Sequence, residues 1–296
     1  MKYTPGRLYW DIDNNRIDHV LFHLHHGLNI NSRDQFGRSL LHNAVSCVRP
    51  QIVSLFLKRG ANVRQRHKSC KSTLLHVLAR SVRTRDTLMD FEACVHLLIE
   101  SGLKWNTLDI EQLTPFGVGL KYRCSVEALR ILIQCGANVN RVGKPDHAAL
   151  HLPLKESWVR QEPVLEILRF LLDEQKLSIQ QLNGNGENVL FHVSQREKNS
   201  VKIMTYLIES GIDINVVSKS GKTAFAQAVH KKQFIQAVVN SGRLFEFNHH
   251  LCGDEFKSNL IRMKCIVLMK WIMDSSYYMG RSILCTGMLR HLSTFL

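Results

Sequence analysis

The stretch Asp34–Val63, DQFGRSLLHNAVSCVRPQIVSLFLKRGANV, decides the fold. Gly37, the pair Leu40-Leu41, His42 and Ala44 are followed by an apolar run that closes on Gly60-Ala61-Asn62. The same pattern returns along most of the chain. Its histidine position is occupied in turn by Tyr9, His42, His76, Gly117, His151, His192 and Ala226, and its closing position by Gly27, Gly60, Gly102, Gly136, Gln175, Gly211 and Gly242. The repeat length stays near 33 residues, with two insertions of about seven. A fixed period of that length marks stacked supersecondary units, each burying its apolar face only against its neighbours.

Each position has a physical reason. The closing glycine lets the chain enter a left-handed turn without a Cβ penalty, and Gln175 is the exception to it. Thr114-Pro115 and Ser72-Thr73 begin helices, with a hydroxyl to cap free backbone donors and proline tolerated in the first turn. His42, His76, His151 and His192 read as core residues that tie neighbouring hairpins through their ring nitrogens. Ile52/Leu55/Phe56 and Leu129/Leu132/Ile133 have the i, i+3, i+4 spacing of buried helix faces, and Val95/Leu97/Leu98 read as the apolar face of another second helix. Stacking accounts for the apolar pattern, and no cofactor is implied.

The elements Asp34, Gly37, Leu41-His42, Ala44 and Gly60-Ala61-Asn62 resemble the ankyrin-repeat signature, over about residues 6–247. The resemblance implies an all-α ankyrin-repeat solenoid of about seven helix–turn–helix units with hairpin fingers, occupying 1–247. It also implies a non-catalytic, monomeric scaffold that binds a protein partner through its concave face and fingers. Leu207, Asp213-Ile214 and Asn215 are similar to the pattern accepted by the asparaginyl hydroxylase of the hypoxia pathway, which makes Asn215 a hydroxylation candidate. Residues 248–296 depart from the repeat. Leu260, Met263, Val267 and Trp271, then Leu284, Met288, Leu292 and Phe295, are spaced as a helical pair, as expected of a C-terminal cap. The same segment resembles the SOCS box of ankyrin–SOCS adaptors in Ser258-x-Leu260 with Cys265 and in Leu289-Arg-His-Leu292. In place of the box's Leu-Pro-Leu-Pro run it has Ile283-Leu-Cys-Thr286. That resemblance implies docking of elongin and a cullin, hence a ubiquitin-ligase adaptor, and the cap and adaptor readings both stand at this point.

The formal net charge is +14, which raises nucleic acid or an acidic protein as partners. From Lys58 to Arg85 nine residues are basic and none is acidic. The repeat divides them. Arg64, Arg66, Lys68 and Lys71 fall in a finger, and Arg80, Arg83 and Arg85 fall in an inserted loop on the opposite edge, a helix of about 12 Å away at 1.5 Å per residue. Aromatic residues do not interleave with them as a base-stacking platform requires, so an acidic protein is expected ahead of nucleic acid. The insertions at 80–90 and 155–163 lie between paired helices, where loops either vary freely or carry recognition.

Chemical sites are not expected. His19, His23 and His26 share a helix face with His25 beside them, yet no Cys or carboxylate motif completes a metal set. Gly184-Asn-Gly186 stops short of a dinucleotide fingerprint, and no hydrolase, zinc-protease or phosphate-loop pattern is present. The first residues lack the apolar core of a secretion signal, and the run Cys265–Met269 is too short to span a membrane. Eight cysteines without a C-x-x-C pair suit a reducing compartment. A cytoplasmic, or also nuclear, location follows as the expectation.

Overall fold

The computed structural model describes residues 5–81, 87–144, 147–154, 161–194 and 201–224, together with 237 and 241. The chain divides into two compact units, 1–153 with 166–177, and 154–165 with 178–296. The tail from 248 onward and the loop residues 82–86 and 155–160 lie outside the described residues.

The first unit is built from helix pairs: α1 (Pro5–Asp13) with α2 (Ile17–His25), α3 (Leu40–Ser46) with α4 (Pro50–Lys58), α5 (Leu74–Ser81) with α6 (Leu88–Glu100), and α7 (Pro115–Lys121) with α8 (Val126–Gln134). The first helices pack in series, α1 on α3, α3 on α5 and α5 on α7, while α4, α6 and α8 form a parallel layer. Helices of seven to nine residues are too short to hold themselves in water, so burial against neighbours is what forms them. On α4 the fully enclosed residues are Ile52, Val53 and Phe56, on α6 they include Phe91, Cys94, Val95 and Leu98, and on α8 they are Ala128, Leu129 and Leu132. Leu55, Leu97 and Ile133, expected on the buried faces, are only half-buried. The enclosed stripe on each of these helices is i, i+1, i+4: Ile52/Val53/Phe56, Cys94/Val95/Leu98 and Ala128/Leu129/Leu132. The insertion after Ser81 is partly helical, because α6 has 13 residues where α4 has 9.

Capping follows the sequence pattern. Ser39 accepts from the His42 N–H while the His42 ring receives the Ser39 N–H, a reciprocal box at the start of α3. Thr114 caps α7 by accepting from Gly117 N–H, with Pro115 in the first turn. Gly27, Gly60, Gly102, Gly136 and Gly211 all have positive φ, as the closing position demands. At Gln175 the expectation is corrected. Gln175 has φ −85° and the left-handed residue is Lys176, φ 53°. The cause is a π-helical turn over Phe170–Glu174, following α9 (Gln161–Arg169), which adds one residue before the helix ends. Leu177 N–H therefore bonds the carbonyl of Leu171, six residues back. In the corresponding closure Ala61 N–H reaches Phe56, five back.

The histidine position has three solutions within this unit. His76 Nδ1 lies 2.7 Å from Thr73 Oγ1, and its Nε2 lies 3.1 Å from the Leu113 carbonyl of the following repeat, so the ring does tie neighbours. His42 repeats the first half, 2.7 Å from Ser39 Oγ, and is enclosed to the same degree. Gly117 has no ring, and the following backbone fills its place. The Val142 carbonyl accepts the Thr114 N–H at 3.0 Å, and a Cβ added to Gly117 would collide with that oxygen. His151 is buried in a 3-10 segment, Ala149–Leu154, that contains Pro153. Proline lacks the N–H a longer helix would need.

The second unit contains α10 (Val189–Ser194) packed on α11 (Val201–Glu209). Here the expectation for His192 is also corrected. It is half-buried, and Phe191 is the fully enclosed residue. Gly186 has the same left-handed φ as Gly37, and the fifth residue beyond it is Phe191.

Candidate protein-interaction surface

Between the helix pairs the chain forms short hairpin fingers. In the first unit these turn at Asp34–Gly37, His67–Lys71 and Asp109–Gln112, and in the second at Asn183–Gly186 and Ser218–Gly221. Asp34 shows why they form. Its N–H bonds the Arg38 carbonyl at 2.8 Å, and its carboxylate accepts from the N–H groups of Phe36 and Arg38 at 2.9 and 2.8 Å. An acidic or amide side chain at the head of the turn thus satisfies donors that a tight turn would leave free. Asn183 does the same for Asn185 and Glu187. The finger at His67 carries one more residue, closing from Lys71 N–H to the His67 carbonyl.

Fingertips next to one another in sequence are joined by single backbone hydrogen bonds: Lys68 to Gly37, Ile110 to Cys70 and Lys144 to Gln112 in the first unit, and Lys219 to Asn185 in the second. A second row of ties comes from arginine. Arg33 Nη1 donates to the Arg66 carbonyl at 3.0 Å, and Arg66 Nη1 donates to the Leu108 carbonyl at 3.0 Å and the Lys71 carbonyl at 3.3 Å. Arg33 and Arg66 stand one period apart, so each spans from its own finger to the next.

This separates the basic residues singled out from the sequence. Arg66 is committed to carbonyls, whereas Arg64, Lys68 and Lys71 are exposed, with Lys71 in the left-handed region at φ 56°. Arg80, at the end of α5, stacks on Tyr122 at 4.5 Å, while Arg83 and Arg85 lie outside the described residues. The acidic side chains of these fingers are engaged internally. Asp34 pairs with Arg38 at 2.7 Å, Asp109 is buried and accepts the Leu113 N–H, and Glu111 pairs with Lys121. Burial opposes ionisation of Asp34, but its hydrogen bonds to Arg38 and Phe36 and the Arg38 charge outweigh that, holding its pKa below the usual carboxylate value. Two apolar side chains, Phe36 and Ile110, stand 58% exposed on the same row of tips. Leu182 and Val217 are similarly exposed at the second unit's fingers. Sequence reading missed Phe36, Ile110 and Arg33. Phe36 and Ile110 break no apolar period, and only the one-period spacing of Arg33 from Arg66 could have signalled the ladder.

Behind the fingers His42 and His76 are held neutral. Burial, then the nearby charges of His67 and Arg33, push His42 down to about 4. Burial also lowers His76, against the raising effect of its bond to Leu113. The cysteines move the other way. Burial pushes the Cys94 and Cys124 thiols up to about 12, and burial with a bond to Asp13 pushes Cys47 up to about 11. These thiols are poor nucleophiles. His19 and His23 face the buried carboxylate of Asp11, at 3.3 and 3.5 Å. His26 turns away to stack on Phe22, its centroid 3.9 Å from that ring. Among the described residues no cluster of three or more His, Cys, Asp or Glu could hold a metal. Asn215 follows the turn capped by Asp213, whose carboxylate accepts its N–H at 2.8 Å. Leu260, Cys265, Leu289 and Leu292, the ligase-box residues, lie outside the described residues.

Fold and fingers together define a scaffold of stacked helix pairs with hairpin tips. Comparison with known proteins agrees: residues 24–78 match the family model for ankyrin repeats, and the fold is an all-α ankyrin-repeat fold. Over 109 residues, 36% of the chain, it is 34% identical to the nuclear factor NF-kappa-B p105 subunit of Gallus gallus, spanning 10% of that protein's length. The crystal structure of the ankyrin repeat domain of Bcl-3, a member of the IkappaB protein family, superposes with a TM-score of 0.55 at 19% identity, covering 78% of this chain and 96% of that one. Ankyrin repeats are protein–protein interaction modules. No helix among the described residues is long and apolar enough to cross a membrane.

Proposed function

We propose that the chain is a non-catalytic scaffold that holds another protein along its fingers and first helices, as a monomer in the cytoplasm or nucleus. The observation that carries this reading is the finger row of the first unit. Its backbone is fixed by inter-finger hydrogen bonds and by Arg33 and Arg66, while its tips stay exposed. A rigid frame with variable exposed tips lowers the entropy cost of binding a partner. Affinity purification of the full chain from cells, with mass spectrometry and cross-linking of what accompanies it, tests the proposal. Cross-links from the fingers to a stoichiometric protein support it, and the absence of any specific companion removes it.

The adaptor reading rests on the sequence of 248–296, through Leu260, Cys265, Leu289 and Leu292. Elongin and cullin in the same purification, lost in Leu260→Asp when the melt is unchanged, support it. Their absence from the wild-type chain ends it. Hydroxylation of Asn215 rests likewise on its sequence pattern, and an unmodified Asn215-containing peptide from cells with active hydroxylase would count against it.

A further inference from the structure

We propose that the finger row of the first unit binds an extended, acidic protein segment carrying two apolar residues about six positions apart. The proposal rests on the scaffold reading above and names its partner's chemistry.

Charge supplies the first argument. Asp34, Asp109 and Glu111 are each consumed by internal partners. Arg64, Lys68 and Lys71, with Arg141 and Lys144 beyond the finger at Asp109–Gln112, are exposed, and among the described residues no opposite charge is paired with them. The tips therefore present cations against neutralised acids, a field complementary to a carboxylate-rich ligand.

The second argument comes from Phe36 and Ile110. An aromatic and an aliphatic residue, each 58% exposed, are poor solvent-facing choices for turns that need only polar residues. Apolar anchors ringed by charge are the pattern of an interface core with a polar rim. The finger between them is joined to both, Lys68 N–H to Gly37 and Ile110 N–H to Cys70. Each finger is a chain that folds back on itself, Asp34 N–H to Arg38, His67 N–H to Ser72 and Asp109 N–H to Leu113, so with hydrogen-bonded backbones about 4.8 Å apart neighbouring tips repeat at about 10 Å. Phe36 and Ile110 then stand about 20 Å apart. An extended chain rising about 3.3 Å per residue covers that distance in about six residues.

Spacing and chemistry argue against nucleic acid as the occupant. Successive bases need a series of π faces. Of the two exposed apolar tips only Phe36 offers one.

The test uses the full chain and a fluorescein-labelled peptide, EDFDEEDDLEDE, read by anisotropy at about 50 mM salt. Binding is expected to weaken at least tenfold in Phe36→Ser/Ile110→Ser. It should also weaken at least tenfold in Lys68→Glu/Lys71→Gly, where glycine suits the left-handed turn and the fold is spared. The far-ultraviolet melt of each variant should stay at the wild-type temperature. A permuted peptide with its Phe and Leu three residues apart should bind at least fivefold more weakly than the original. With the purified chain the proposal is overturned by no binding of the peptide, by equal affinity for the permuted peptide, or by tighter binding of random duplex DNA or phosphatidylserine vesicles than of the peptide. A cellular partner retained by the finger variants would remove this inference and leave the scaffold reading standing. A wild-type chain without partners would remove both.

Discussion

Acid should unfold this protein through its buried imidazoles, and His42 sets the scale. Its pKa falls from the ordinary 6.5 to about 4 in the folded chain. Between those values the unfolded state binds more protons than the folded one, so stability is fully present above pH 6.5. It is lost as pH falls toward 4, below which the loss stops growing. A depression of that size corresponds to about 3 kcal/mol. His76, lowered in the same direction, adds to it. Its Nδ1 receives the Thr73 N–H at 3.2 Å, and protonation would set two donors face to face. The assay is urea unfolding followed by circular dichroism from pH 7.5 to 4.5. With a slope of about 3 kcal/mol/M for a chain of this size, the midpoint should drop by about 1 M. Acid changes the charge of the whole chain as well, so the decisive comparison is with His42→Gln. Glutamine at this position can keep the reciprocal cap with Ser39 without titrating. The variant should be weaker than wild type by about 1–2 kcal/mol at pH 7 and level with it, or above it, at pH 4.5. Parallel decline of the two proteins would refute the argument.

Placing at Gly117 the histidine that His42 and His76 supply in the preceding repeats should harm the protein: Gly117→His is expected to cost at least about 3 kcal/mol by thermal melt, because the Val142 carbonyl occupies the ring's place. A neutral result would mean that backbone can withdraw. Lys176→Gly should raise stability by about 0.5–1 kcal/mol, since a left-handed lysine is strained where glycine is not; a loss would show that the lysine has an unrecognised role. Arg66→Ala should cost about 1 kcal/mol through its two carbonyl bonds, whereas Arg64→Ala should lie within about 0.5 kcal/mol of wild type. Equal effects in denaturant titration would deny the ladder its structural part. Ending the chain at Phe247 should lower solubility, as expected if 248–296 covers the last apolar face; an equally stable, fully soluble fragment would remove the cap proposal.

The period, the helix pairs and the closing glycines were legible in the sequence because each follows from local rules: apolar spacing, capping hydroxyls and left-handed turns. What escaped reading depended on single residues shifting the frame. The π turn at Phe170–Glu174 moved the left-handed position from Gln175 to Lys176, and nothing in FLLDEQK announces an extra residue. At Phe191-His192 the histidine itself misled. Counting from Gly186 places Phe191 in the core position, and a Leu-Phe-His sequence hides the offset. The surface was half legible. Basic composition pointed to the finger, but only geometry distinguishes Arg66, spent on carbonyls, from Arg64 two residues away.

The arginine ladder ends on carbonyl oxygens, which every residue supplies. Arg33 would find its acceptor whatever side chain stood at position 66, and Arg66 would find its own whatever stood at position 108. The tips are therefore free to drift in sequence without disturbing the pitch at which they are presented. Such a row behaves as a ruler whose graduations stay put while its markings are rewritten, so a lineage could exchange one partner for another by changing Phe36, Lys68 or Ile110 alone.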